Sequence, residues 1–330
     1  MRRFAVRIFA AIITLIFCPI GIGAFWAWDT YHSEGASKAP ITIIIKKGAA
    51  LQDIADQLST LGLISNKHLF LAGAYFTNAD RRMRAGEFSL DKQMSMHEIT
   101  DHLLYGETVK RRLTVPEGMS TKDVIALVAR TDGLYGEVPA GGSEGIYLPE
   151  TYFFSYGDSK RSVLLRMESA MKETLIEAWQ SRINEIAISS PNEALILASI
   201  IERETGLASE RARVSGVFHN RLRRNMRLQS DSTVIYAVSG GATVLGRRLK
   251  RSDLNINSNY NTYRHMGLPP GPISNPGRAA ILAATRPAVT ADLYFVADGT
   301  GGHAFARTLQ EHNRNVAKWR LIQRRRAKTK

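Results

Sequence analysis

Residues 196–206, "ILASIIERETG", place two glutamates, Glu202 and Glu204, at the end of an apolar run. An α-helix advances about 100° per residue, so with Glu193 at the origin Leu197, Ile200 and Glu204 fall within about 40° of it, and Glu202 at about 180°. Glu204 thus belongs to the middle of the most apolar face of a core helix. Glu202 belongs to a flank where a solvent-facing or salt-bridging carboxylate is unexceptional. Burial disfavours the ionised form and raises a carboxyl pKa. An acid kept protonated in this way can give a proton to a leaving-group oxygen, as cleavage of a glycosidic bond requires. It can equally pair with a buried arginine such as Arg211 or Arg213. The residues of the run leave both readings open.

Around this helix the pattern is mostly helical. Helices are expected at 192–206 and 209–224, then at 276–285 with Asn275 or Ser274 as cap and Pro276 in the first helical position. "DLYFVADGTGGHAFA" (292–306) reads as a hairpin, followed by a last helix from about 308. Upstream, "EGIYLPETYFFSYG" (144–157) is aromatic and turn-rich, suited either to a sugar subsite or to ordinary packing. An amphipathic helix follows through Val163, Leu164, Met167, Met171, Leu175 and Ala178. "ITIIIKKGAALQDIADQLSTLGLI" (41–64) reads as a β-branched strand, a turn at Gly48 and a helix with Leu51, Ile54, Ala55, Leu58 and Leu61 on one face. A similar unit recurs at 112–135, with Gly118 matching Gly48 and Asp123 matching Asp53; a further strand and short helix are expected between the two.

The chain has 330 residues and a formal charge of +14, with 44% apolar and 22% charged side chains, so it has ample material for a core and favours an anionic partner. Residues 9–28, "FAAIITLIFCPIGIGAFWAW", have the length and apolarity of a bilayer span and end in Trp26 and Trp28. Arg2, Arg3 and Arg7 precede them, which puts the N-terminus in the cytoplasm and exports the rest. Bulky Phe25, Trp26 and Trp28 stand where a signal peptide would be cut, so the segment reads as an uncleaved anchor. An exported domain rarely meets nucleic acid, and an anionic cell-envelope component suits the charge better. Cys18 is the single cysteine, and none of the 8 histidines forms a close H-x-x-x-H pair, so neither a disulfide nor a metal site is expected.

"LASIIERET" (197–205), "ASERARVSGVFHNRLRRNMRLQSDSTVIYAV" (208–238), "YNTYRHMGLPPGPISNPG" (260–277) and "LYFVADGTGGHAFARTLQEHN" (293–313) together closely resemble the MltG (YceG-like) family of endolytic peptidoglycan transglycosylases. The resemblance implies an α+β protein in seven parts. These are a cytoplasmic N-terminus (1–8), a transmembrane helix (9–28), a linker (29–40), a LysM-like α/β region (41–135), a connecting aromatic loop and helix (136–190), a mainly helical lysozyme-like catalytic domain with a small β hairpin (191–320), and a basic tail (321–330). The family's catalytic glutamate is directly followed by threonine, which here selects Glu204 with Thr205 behind it and leaves Glu202 in a supporting role. Gln229, Asp231 and Thr233, with Asn261, Thr262 and Tyr263, are the implied glycan-binding residues, and "GLPPGPISNPG" the implied cleft wall. Ser232 replaces the family's usual proline, which is expected to affect loop stiffness more than chemistry.

The resemblance further implies non-hydrolytic cleavage between N-acetylmuramic acid and N-acetylglucosamine of nascent strands, leaving 1,6-anhydro ends and terminating elongation. It implies no cofactor and no metal, peptidoglycan synthases as partners, and a single-pass place in the bacterial inner membrane with a periplasmic catalytic domain. A non-catalytic peptidoglycan-binding scaffold and a hydrolytic muramidase, with Asp231 or Glu202 as second carboxylate, are the alternatives.

Overall fold

The computed structural model describes residues 2–242 and 245–328. The chain forms two compact units, one made of Met1–Arg111 with Phe153–Asp158, the other of Arg112–Tyr152 with Ser159–Lys330.

The first unit begins with α1 (Arg2–His32), then β1 (Ile41–Ile45), α2 (Leu51–Thr60), α3 (Lys67–Phe76), β2 (Gly86–Leu90) and α4 (Met96–Tyr105). β1 and β2 pair antiparallel with Ile43 opposite Phe88, so the alternate residues Ile43, Ile45, Phe88 and Leu90 enter one core with Leu58, Phe70 and Leu103. Gly48 takes the positive φ of 80° that lets the chain turn from β1 into α2. α3, absent from the expected elements, starts where the Asn66 side chain accepts the backbone N–H groups of His68 and Leu69. Residues 29–40, expected as a linker, are fastened to this unit. Tyr31 is buried and hydrogen-bonded to Thr100, Gly35 N–H donates to the Gln93 carbonyl, and Gln93 N–H donates to the Ser37 carbonyl. The expected span 9–28 lies within α1, and several of its side chains fall outside the described residues. Among the described residues no helix is long and apolar enough to cross a membrane.

β3 (Lys110–Thr114) and β4 (Thr151–Ser155) pair in a second two-stranded sheet. The second unit contains α5 (Thr121–Ala129), α6 (Lys160–Gln180), α7 (Pro191–Glu204), α8 (Ala208–Arg223), α9 (Asp231–Ser239), α10 (Arg278–Thr285), the antiparallel hairpin β5 (Tyr294–Ala297) and β6 (His303–Ala306), and α11 (Leu309–Lys328). The matched units of the sequence fall apart here, because the 112–135 copy with its positive-φ Gly118 belongs to this unit. Tyr147 and Tyr152 are buried, a packing role for that part of the aromatic stretch.

α7 is the axis of this unit. Residues 194–201 are buried without interruption, because α6, α8, α9 and α10 all pack on the helix. A helix apolar all round is a core helix rather than an amphipathic one. The two-faced reading of "ILASIIERETG" is thereby corrected, since Glu202 is withdrawn from water as well. α10 begins at Arg278 after Gly277, two residues later than expected. The Asn275 side chain, expected as the cap, instead accepts from Tyr147 N–H and donates to the Met119 carbonyl.

Candidate active site

The C-terminal turn of α7 opens on a cleft of about 490 Å³ lined by Glu204, Ser230, Asp231, Tyr263, Arg221 and His303, among others. Ser230 Oγ donates to Glu204 Oε1 at 2.5 Å, Ser232 Oγ lies 3.1 Å from the same oxygen, and the two hydroxyls are 2.6 Å apart. Each hydroxyl has one hydrogen, so with Ser230 donating to Oε1 the Ser232 hydrogen is shared between Oε1 and Ser230 Oγ. Oε2 has no hydrogen-bond partner among the described residues and is not a buried atom, which leaves it as the carboxyl oxygen facing the cleft. Dense surroundings raise the Glu204 pKa, the two serine hydrogen bonds oppose the shift, Asp231 adds to it and His303 opposes it. No arginine pairs with Glu204 among the described residues. Arg211 goes to Glu202 and Glu117, and Arg213 to Asp292.

Glu202 is also withdrawn from water, with its side chain 5% exposed, and both of its carboxylate oxygens are engaged. Oε2 accepts Gly277 N–H at 2.9 Å at the N-terminus of α10, and Oε1 accepts from Arg211 at 3.4 Å. Burial raises its pKa, with the Gly277 hydrogen bond as the main opposing effect. The two carboxyls therefore differ in what holds them: two hydroxyls for Glu204, a helix end and a guanidinium for Glu202.

Asp231 stands in the cleft and accepts the Tyr263 hydroxyl at 2.6 Å, and Gln229 is also on the lining. Gln229 adopts a φ of 50°, rare for a residue with a Cβ. Its N–H donates to the Thr262 carbonyl, and Arg221 donates to its Oε1, which holds it there. Thr233, Asn261 and Thr262 are buried and lie behind the lining. Thr262 Oγ1 accepts Ser230 N–H and bonds Thr233, and Asn261 Nδ2 donates to the Leu254 and Ile256 carbonyls. Thr262 and Thr233 fix the loop that carries Ser230 and Asn261 fixes residues 254–256, so the three expected ligand contacts stand behind the lining and not on it. "GLPPGPISNPG" likewise packs on α7, through Ile273 N–H to Ser199 Oγ, and is not on the lining.

Several residues of the cleft went unread in the sequence. Ser230 and Ser232 contact the Glu204 carboxyl directly, so Ser232, expected to bear mainly on loop stiffness, also touches the candidate acid. Arg221 is buried and donates to the Leu293 and Leu228 carbonyls, tying the hairpin to the 228–230 loop. The spacing of the histidines carried no sign that His303 reaches the lining; the Gly301-Gly302 pair before it was the available sign of a close backbone approach.

The YceG-like family matches residues 43–318. The chain belongs to this family. Curated relatives include endolytic murein transglycosylases of Streptococcus pneumoniae serotype 2 (strain D39), 29% identical over 332 residues covering 86% of this chain and 59% of that protein, and of Bacillus subtilis (strain 168), 29% identical over 317 residues covering 87% of this chain and 86% of that protein. This YceG-like chain thus spans 59% of the length of its pneumococcal relatives. A crystal structure of a putative yceG-like protein from Listeria monocytogenes is 29% identical, covers 84% of this chain and 99% of its own, and has a TM-score of 0.49.

Proposed function

We propose that this YceG-like protein is an endolytic murein transglycosylase with Glu204 as its acid and base. The observation that carries the reading is the Glu204 carboxyl, held by one oxygen between Ser230 and Ser232 in an open cleft, with its pKa raised by burial. Oε2 gives its proton to the oxygen between N-acetylmuramic acid and N-acetylglucosamine, and positive charge develops at C1 of the muramyl residue. The resulting carboxylate, still held through Oε1, takes the proton of that residue's 6-hydroxyl as the hydroxyl oxygen attacks C1. A 1,6-anhydromuramyl end forms, no water is consumed, and Glu204 regains its proton. Glycosidases that hydrolyse use a second carboxyl as nucleophile or base. Glu202 is engaged elsewhere and is assigned support of α10. Gln229, Asp231 and Tyr263 are assigned to hold the glycan.

The β1-α2-α3-β2 module is read as LysM-like, and residues 9–28 as a single-pass anchor in the inner membrane with the catalytic unit in the periplasm. Peptidoglycan synthases are the proposed partners, with termination of nascent strands as the role. The test is digestion of purified murein sacculi by the full chain, with the new ends identified by mass spectrometry. Anhydromuramyl ends are expected. Reducing muramic acid ends alone would overturn the assignment in favour of hydrolysis.

A further inference from the structure

The cleft lined by Glu204 holds a second group that takes no part in the proposed proton transfer. His303 lies on the lining, and its Nδ1 is 2.7 Å from Glu210 Oε2 while its backbone N–H donates to Glu210 Oε1 at 2.8 Å. Burial alone would raise the Glu210 pKa, but the hydrogen bonds from His303 outweigh it and hold this carboxyl below the usual range. An ionised Glu210 can only accept, so the hydrogen of the pair is on Nδ1, and Nε2 is the ring nitrogen left for another partner. Nε2 has no hydrogen-bond partner among the described residues and is not a buried atom. Phe295 packs edge-on against the imidazole, with ring centroids 5.3 Å apart.

The support reaches back to α7. Thr205, the residue after Glu204, donates from Oγ1 to the same Glu210 Oε2 at 3.3 Å. Glu210 thus ties the end of α7 to the start of β6 and fixes where the ring stands relative to Glu204. Gly302 makes this contact possible, since a Cβ there would meet Glu210 Oε1 at 2.7 Å. Charged groups within electrostatic reach of His303 are Glu204 on α7, Glu210 on α8 and Asp298 in the hairpin turn. An imidazole fixed at one nitrogen by a carboxylate and open at the other is a directed hydrogen-bonding group.

We propose that His303 is a further substrate-contacting residue of this site. Its Nε2 hydrogen-bonds a polar group of the sugar seated against Glu204, with Glu210 and Thr205 as positioning residues. The proposal rests on the transglycosylase reading. The experiment measures kcat and KM of the full chain on murein sacculi for wild type, His303→Ala, His303→Gln and Glu210→Gln, with the melting temperature of each. His303→Ala is expected to lower kcat by about 10- to 100-fold, with KM changed less, and added imidazole is expected to restore part of the loss. His303→Gln, which keeps an acceptor oxygen, is expected to retain more activity than His303→Ala, and Glu210→Gln to lie between wild type and His303→Ala.

Activity of His303→Ala within about twofold of wild type, or a loss that follows the melting temperature and does not respond to imidazole, would overturn the proposal. If wild type instead left only reducing ends while His303→Ala still lost activity that imidazole restored, the transglycosylase reading would fail and the contact would stand.

Discussion

Glu204 and Ser232 carry the sharpest expectations at single positions. Glu204→Gln keeps the acceptor oxygen for the two serines and removes the transferable proton, so kcat on sacculi is expected to fall by about 10² to 10⁴. The same substitution is expected to stabilise the fold. The Glu204 pKa is raised on folding, so above the ordinary carboxylate value of 4.5 the folded chain holds a proton that the unfolded chain has lost. Stability therefore falls as pH rises from there to the folded pKa. Glu204→Gln removes that slope, and its advantage in chemical unfolding is expected to be larger at pH 7 than at pH 4.5; equal advantages would contradict the assignment. Ser232 lowers the Glu204 pKa by hydrogen bonding. In Ser232→Ala the acid form survives to higher pH, and the alkaline limb of the kcat profile should move upward. Glu204 was legible in the sequence from its place on the apolar run and the threonine after it. Ser230 and Ser232 were not, because "QSDST" becomes a clamp only when the start of α9 is brought against the end of α7.

The helices of the second unit are held at their ends by polar groups withdrawn from water. Glu202 joins α7 to the start of α10, and Glu202→Ala leaves Gly277 N–H without its acceptor and Arg211 with only Glu117. A loss of about 1–3 kcal/mol in unfolding free energy is expected, with the proportion of anhydro ends unchanged. His219 on α8 is buried, accepts Ala187 N–H through Nδ1 and bonds the Ala284 carbonyl at the end of α10 through Nε2. Burial is the main cause that lowers its pKa from 6.5 to about 4. The folded state therefore resists a proton that the unfolded state takes up, and stability is lost as pH falls between those two values. Between pH 6.5 and pH 5 the loss is roughly 2 kcal/mol. Urea unfolding at the two pH values, compared with His219→Gln, checks it. The later start of α10 has the same origin, because Asn275 satisfies Tyr147 and Met119, distant in sequence, rather than its own helix.

The charge of +14 acts through the whole molecule, and it matches an anionic wall polymer better than any single site explains. Binding of the Glu204→Gln protein to sacculi, followed by co-sedimentation, is expected to weaken several-fold from low to high salt, because surface charges are screened over about 10 Å at 0.1 M. Binding that did not respond to salt would assign retention to the cleft or the small modules alone. The division into units also belongs here. The 41–64 and 112–135 segments share a strand-turn-helix pattern and a glycine at positive φ, yet they belong to different units. Local periodicity specifies such an element but not the core it joins.

The sequence by itself determined the elements with strong periodicity: the strand and helix after residue 41, the long helix from 160, the core helix ending at Glu204, and the hairpin before the last helix. It also placed Glu204 at the end of that apolar helix, the position it holds on the cleft lining. Only the tertiary structure decided that Glu202 is buried too, that Thr233, Asn261 and Thr262 support the cleft rather than line it, and that Ser230, Ser232 and His303 reach it. Those outcomes depend on contacts between residues 26 to 93 positions apart. The physical reason is that a hydrogen bond across such a distance exists only once the packing of α7, α8, α9 and the hairpin has excluded the other partners, and no spacing along the chain encodes that.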